Sequence, residues 1–118
     1  MSPDKPYDLE ERTYQFAKRV RDFVKRLPKT ISNGDDIKQV VRASGSVGAN
    51  YIEANESLGK KDFLMRLKIS RKESKESVYW LRLLDTGEDQ TVDNERCQLI
   101  VEATELLKIF SSIIRKSE

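Results

Sequence analysis

Apolar residues recur along this chain at steps of three, four or seven, and no stretch alternates apolar and polar residues with period two. Steps of three and four keep side chains on one face of an α-helix, whereas period two is typical of a strand. Three breaks, at residues 28–34, at Gly59 and at Gly87, divide the pattern into four segments. The sequence therefore predicts four amphipathic helices and no strand.

Four helices of about 20 residues, each ~30 Å long and joined by short turns, favour antiparallel neighbours. We therefore expect an all-α fold, an antiparallel up-down-up-down four-helix bundle, as a single domain over residues 8–118. Residues 1–7 contain two prolines and are expected to form a flexible arm. The expected bounds are a first helix that ends at Pro28, a second that begins near Asp35, a third from about Lys60 to Leu84 and a fourth from near Asp93.

The connections carry two turn signals. Residues 28–34 are expected to form a turn, with Asn33-Gly34 as its clearest signal. Gly87 lies where a helix C-cap glycine is expected, after the third helix. Both predictions rest on local residue preferences alone.

Small residues occupy the middle of the second and third helices. Gly45 and Gly48 each cost ~1 kcal/mol relative to alanine inside a helix, so close packing is needed to offset them. The seam of the third helix has serine at its middle, at Ser70, Ser74 and Ser77. We therefore expect a tight helix–helix crossing, with these serines against the glycines of the second helix.

The residue types that are absent or rare in this chain exclude several classes of enzyme and metal site. The chain has no His and one Cys, so it cannot form a Ser-His-Asp or Cys-His catalytic site or a zinc site with four Cys or His ligands. The longest uninterrupted apolar run is Val78–Leu81, far short of the ~20 residues that span a bilayer. A lone thiol and no secretory signal favour the cytoplasm. We expect a non-enzymatic protein without cofactor, metal or membrane contact. An enzyme would need paired carboxylates in a cleft.

The third helix has a second set of apolar residues opposite its seam: Met65, Ile69, Tyr79, Trp80 and Leu83. Exposed apolar patches often mark interfaces, where Trp and Tyr are enriched. These residues therefore predict a contact between subunits. Scattered surface apolar residues are the alternative.

The far side of the second helix carries four polar residues at helical spacing, namely Arg42, Ser46, Asn50 and Glu53. Arg42 is expected to reach Glu53 or its equivalent on a neighbouring subunit, and an asparagine amide both donates and accepts. They predict a polar network at a subunit contact. A solvated helix face is the alternative.

The third helix is strongly basic, since residues 60–84 hold eight Lys or Arg against three Asp or Glu. Cations spaced seven apart form a stripe along one helix face, which favours the phosphates of RNA or DNA. The alternatives are a solvated face and pairing with acids of another helix. The predicted phosphate contacts are Lys61, Lys68, Arg71, Lys72, Lys75 and Arg82.

Three segments carry a family resemblance: YDLEERTYQFAKRVRDFVKRLP at 7–28, RASGSVGANYIEANES at 42–57 and KKDFLMRLKISRKESKESVYWLRLL at 60–84. Together they resemble the bacterial four-helix bundle family known as 23S rRNA intervening-sequence proteins. The resemblance is specific at Arg42, Ser46, Asn50, Glu53 and Phe63. The family more often has Glu-Gly where this chain reads Glu53-Ala54-Asn55, and Gly-Ser within the stretch Arg71-Lys72-Glu73-Ser74.

The resemblance implies a small four-helix subunit that assembles into a ring, typically a homopentamer, with no catalytic residues. The chain is also similar to the accessory protein of diversity-generating retroelements, a basic pentameric barrel that binds nucleic acid and a reverse transcriptase. We therefore expect a homo-oligomer that contacts RNA or DNA through the third helix. A protein–protein adaptor without nucleic-acid contact is the alternative.

Overall fold

A computed structural model describes residues 6–118 of the chain, and the side chains of residues 8–118. Its helices are α1 (Pro6–Val24), α2 (Ile31–Asn55), α3 (Lys60–Leu83) and α4 (Gln90–Ser117), and the described residues contain no strand. Each helix packs against its sequence neighbours, and α4 closes the bundle against α1, while the backbones of the diagonal pairs do not approach each other closely within the described residues. The predicted all-α up-down-up-down bundle is thereby confirmed. Most of the predicted arm, residues 1–5, lies outside the described residues, and α1 begins at Pro6.

One apolar cluster fills the space between the four helices. Its largest fully buried side chains include Phe16 and Phe23 of α1, Leu67 of α3 and Phe110 of α4. The ring of Tyr51 in α2 packs at a tilt on Phe110, with centroids 5.7 Å apart. The residues at steps of three and four thus form the core, as their spacing predicts.

The predicted turn at residues 28–34 is wrong, because α2 already begins at Ile31. The side-chain oxygen of Thr30 accepts a hydrogen bond from the backbone nitrogen of Asn33 at 3.1 Å, which caps the helix. Asn33 and Gly34 therefore lie in the first turn of α2, and the connection from α1 consists of residues 25–30.

Asn33 joins the two loops at this end of the bundle, which explains why it does not form a turn. Its side chain is only 1% exposed. The amide nitrogen donates to the carbonyls of Pro28 at 3.0 Å and Asp85 at 2.9 Å, and the amide oxygen accepts from the Asp85 nitrogen at 2.9 Å. Because the Asn33 amide donates to Asp85 and accepts from it, its side chain is not available for the hydrogen bonds of a local turn.

Gly87 is not the C-cap of the third helix, since α3 ends at Leu83 and Leu84 is already extended. Gly87 lies inside the following loop with φ +68°, a left-handed conformation that favours glycine. A Cβ atom there would lie 2.9 Å from Cγ of Pro28, so the two loops also touch at this point. Gly87 therefore allows the conformation of the loop and its close contact with Pro28, and it does not end a helix.

The fourth helix begins at Gln90, three residues before the predicted start. The side chain of Asp89 accepts hydrogen bonds from the backbone nitrogens of Thr91 at 2.9 Å and Val92 at 3.2 Å. Asp89 is therefore the N-cap, a role that aspartate fills well and that also suits the positive end of the helix.

The expected tight crossing is present, but its partner is α1. A Cβ atom on Gly48 would lie 2.7 Å from the hydroxyl oxygen of Thr13, so only glycine allows α1 to approach this closely. The serines of α3 have other partners. Ser70 donates to the Val47 carbonyl of α2 at 2.8 Å, and Ser74 donates to the Ser70 carbonyl of its own helix at 2.9 Å.

Ion pairs tie α1 to α4. The guanidinium of Arg12 donates two hydrogen bonds to the carboxylate of Glu102, at 2.8 and 2.9 Å, and Arg19 pairs with Glu95 at 3.4 Å. The hydrogen bond to Glu102 raises the pKa of Arg12 above its ordinary value. Planar two-point contacts of this kind fix orientation as well as adding energy.

Candidate nucleic-acid interface on the third helix

The inner side of α3 fixes which of its residues face away from the bundle. Leu67, Ser70, Ser74, Ser77 and Leu81 are buried against the core. At 100° per residue, the opposite side carries three rows with steps of seven. We call these rows the outer face of α3. The cation row consists of Lys61, Lys68, Lys75 and Arg82. The middle row consists of Met65, Lys72 and Tyr79. The apolar row consists of Ile69 and Leu83, with Glu76 between them.

The cations predicted to contact phosphates are exposed, with the exception of Arg71. Lys61, Lys68, Lys72, Lys75 and Arg82 are all exposed, whereas Arg71 is half-buried beside the cation row. Among residues 8–118, no ion pair involves any of these six side chains. The positive charge of the outer face is therefore not neutralised within the described part of the subunit.

The three acids of α3 explain why these cations lack partners. Asp62 pairs with Arg66 of the same helix at 4.0 Å. Glu73 and Glu76 both pair with Arg42 of α2, each at 3.4 Å. Because these carboxylates meet other arginines, the acids of this helix leave its outer lysines unpaired.

The lysines predicted to bind phosphates and the apolar residues of α3 predicted to contact another subunit lie together. A shallow groove of about 490 Å³ runs along the outer face and is lined by three lysines and three apolar side chains, namely Lys61, Lys68, Lys72, Leu64, Met65 and Ile69. Farther along, Tyr79 is 56% and Leu83 50% exposed, and Met65 in the groove is 46% exposed. The predicted phosphate contacts and the predicted subunit contacts therefore share one surface.

Trp80 departs from the exposed patch that the sequence predicts. It is half-buried and packs against the core cluster, and its indole nitrogen is buried without a hydrogen-bond partner among the described residues. The Tyr79 ring meets it edge to face, with centroids 5.0 Å apart. The indole thus supports the exposed tyrosine instead of forming part of the patch.

Within the subunit, Arg42 has partners other than Glu53, the first of its two predicted partners. Its guanidinium bonds to Glu73 and Glu76 of α3 rather than to Glu53, which is exposed on α2. The Glu73 side chain is only 8% exposed, so Arg42 supplies the positive charge that a nearly buried carboxylate needs. The pair joins α2 to α3 within one subunit.

Ser46 and Asn50 belong to the same α2–α3 seam. The Asn50 amide nitrogen donates to the backbone carbonyl and the hydroxyl of Ser46, both at 2.9 Å. Arg66 of α3 donates to the amide oxygen of Asn50 at 3.2 Å. Sequence reasoning missed Arg66 and Glu73, although their spacing of seven residues places both on the side of α3 that faces α2.

The remaining surfaces offer little catalytic chemistry. The described residues contain no group of three or more His, Cys, Asp or Glu side chains placed to hold a metal ion. The grooves lined by Glu102 and by Glu10 each hold a single carboxylate, and Cys97, beside the first of them, is exposed. No helix in the described part of the chain has the length and apolar character needed to cross a membrane.

Comparison with known proteins identifies one family and a close structural counterpart. The family model described as 23S rRNA-intervening sequence protein matches residues 6–112. A crystal structure of a protein of unknown function from the S23 ribosomal protein family of Bacteroides thetaiotaomicron VPI-5482 superposes with a TM-score of 0.78. Its sequence is 28% identical, and the match covers 93% of this chain and 97% of that one. No curated protein matches the sequence.

Proposed function

Because the chain belongs to the 23S rRNA-intervening sequence protein family, we propose that it is a non-enzymatic, homo-oligomeric four-helix scaffold that binds RNA or DNA through the outer face of α3. The crystallised relative is a protein of unknown function, so the proposal depends on the surface of this chain. The relation to the accessory protein of diversity-generating retroelements remains a prediction from resemblance.

The observation that carries the proposal is the row of exposed, unpaired cations on α3. From Lys61 to Arg82 the helix rises about 30 Å, and no acid of the described chain pairs with the outer cations over that length. Unpaired cations attract counterions that a nucleic-acid backbone displaces on binding. Several copies of the row in one assembly would add their fields.

The oligomeric part of the proposal needs a surface other than the outer face of α3. A face that binds nucleic acid must stay open to solvent in the assembly, so the exposed Met65 and Tyr79 cannot at the same time be covered by a neighbouring subunit. Tyr14 of α1 and Ile52 of α2 are also exposed and flank a groove of about 240 Å³ over Gly45 and Gly48. We assign the contact between subunits to this α1–α2 surface.

Binding should depend steeply on salt. A fluorescein-labelled single-stranded RNA of mixed sequence and about 20 nucleotides is titrated with the protein by fluorescence anisotropy. Five phosphate contacts give a slope of log K against log salt of about −3.5, hence a loss of about 100-fold between 50 and 200 mM. An absence of binding at 50 mM salt would refute the nucleic-acid proposal and favour a protein adaptor.

The assembly is measured on the same sample. Light scattering should give a mass several times that of the 13.7 kDa chain. The mass of a single chain would refute the oligomeric part alone, because the cations of α3 lie within one subunit.

A further inference from the structure

The outer face of α3 has two chemically different edges. The cation row lies on the side of α3 turned away from α2, whereas the apolar row lies on the α2 side, where Glu76 reaches Arg42 of α2 at 3.4 Å. The middle row between them holds Met65 and Tyr79, which are 46% and 56% exposed. A ligand that lies along this helix therefore meets unpaired positive charge at one edge and, at the other, apolar side chains on either side of the Glu76–Arg42 ion pair.

We propose that this face binds single-stranded nucleic acid, with phosphates on the cation row and on Lys72, and with bases on the apolar side chains of the middle and apolar rows. This inference rests on the proposed function and names the form of nucleic acid. A single strand has the same two-edged character, since its backbone is anionic and its unpaired bases offer flat apolar surfaces. In a duplex the base faces are stacked inside, so only the cation row would gain contacts.

Tyr79 is the strongest base contact on this face. Its ring is more than half exposed, and the half-buried Trp80 meets it edge to face at 5.0 Å, which limits its freedom. A ring that is held before binding loses little conformational entropy when a base stacks on it. The neighbouring Lys72 and Lys75 are exposed and unpaired, so they are available to the phosphates that flank such a base.

The cations and the apolar side chains repeat at the same distance, so they stay side by side along the helix. Seven residues of helix rise ~10.5 Å, so the cations at Lys61, Lys68 and Lys75 follow one another at that spacing. Met65 and Tyr79 are two such steps apart, with Lys72 between them. A strand laid along the helix would keep the same edge towards the cations over the whole face.

The test compares Tyr79 variants on two forms of one nucleic acid. Tyr79→Ser should weaken binding of a 20-nucleotide single-stranded RNA by about tenfold, because one base loses its stacking partner. Tyr79→Phe keeps the ring and should bind as the parent does, and Val101→Ser removes an apolar side chain exposed on α4 and should have no effect. Binding of the same sequence as a duplex should be weaker in the parent and unchanged by Tyr79→Ser.

Several outcomes separate this inference from the proposed function. If single strand and duplex both bind with a steep salt slope but Tyr79→Ser weakens them equally or not at all, the single-strand inference is wrong and the proposed function stands. If neither form binds at 50 mM salt, the proposed function itself fails. Displacement of the labelled strand by polyglutamate at equal charge concentration would overturn the inference in favour of an acidic protein partner. Thermal unfolding midpoints of the variants, unchanged from the parent, show that each remains folded.

Discussion

Changing Lys68, Lys72 and Lys75 together to glutamate should lower the affinity for single-stranded RNA by about 100-fold or more at 50 mM salt. Three phosphate contacts are lost, and three carboxylates then repel the backbone. All three lysines are exposed, and none has an ion-pair partner among the described residues, so the fold should remain intact. Anisotropy titration measures the affinity, and circular dichroism checks the helix content.

A matched control variant shows whether the loss of affinity depends on where the charges are changed or only on the change in net charge. Lys18, Lys29 and Lys108 are also exposed, they lie in α1, in the α1–α2 connection and in α4, and their change to glutamate alters the net charge equally. This control variant should bind within about threefold of the parent, because screening limits the reach of distant charges to about 10 Å at 0.1 M salt. Equal losses in both variants would mean that binding follows net charge and not the outer face of α3.

Asn33→Leu should lower the free energy of unfolding by about 3 kcal/mol, because three backbone groups each lose a hydrogen bond in a nearly buried place, although the Pro28 carbonyl keeps the one from the Thr30 nitrogen. The groups are the carbonyls of Pro28 and Asp85 and the amide of Asp85. Leucine has the same branching and the same number of side-chain heavy atoms as asparagine, so the change leaves no cavity. Chemical denaturation gives the value from the shift of its midpoint.

Gly34→Ala provides the control within the same helical turn. No atom lies within 4 Å of a Cβ added at Gly34, and alanine favours the helix, so this change should stabilise the protein by up to about 1 kcal/mol. If Asn33→Leu stays within 0.5 kcal/mol of the parent, the link between the two loops contributes little, and another contact must hold this end of the bundle.

The helices were predictable because their signal is local and repeated. The third helix ends at Leu83, one residue from its predicted end, since a long periodic stripe followed by polar residues defines it well. Asn33 shows the limit of such reasoning. The pair Asn33-Gly34 is a turn signal by composition, and only the position of Asp85, 52 residues away, decides that its amide serves another loop. Thr30, a typical N-cap residue, was the available sequence signal for the earlier start of α2.

The outer face of α3 was predictable residue by residue but not as one surface. Met65 and Tyr79 have the same spacing of seven as the lysines, so the two sets run side by side along the helix. Sequence reasoning assigned them to different contacts because it considered each chemical type separately. The missing ion pairs of the lysines were not predictable either, since Lys72 and Glu76 have a spacing that permits a pair, yet Glu76 meets Arg42.

Lysine footprinting tests the assignment of the outer face of α3 most directly. The protein is acetylated with a limiting reagent, with and without a saturating 20-nucleotide single-stranded RNA, and the modification of each lysine is measured by mass spectrometry. The RNA should protect Lys61, Lys68, Lys72 and Lys75 and leave Lys18, Lys29 and Lys108 at their free reactivity. Equal protection of all seven lysines, or protection confined to the last three, would contradict binding through the outer face of α3.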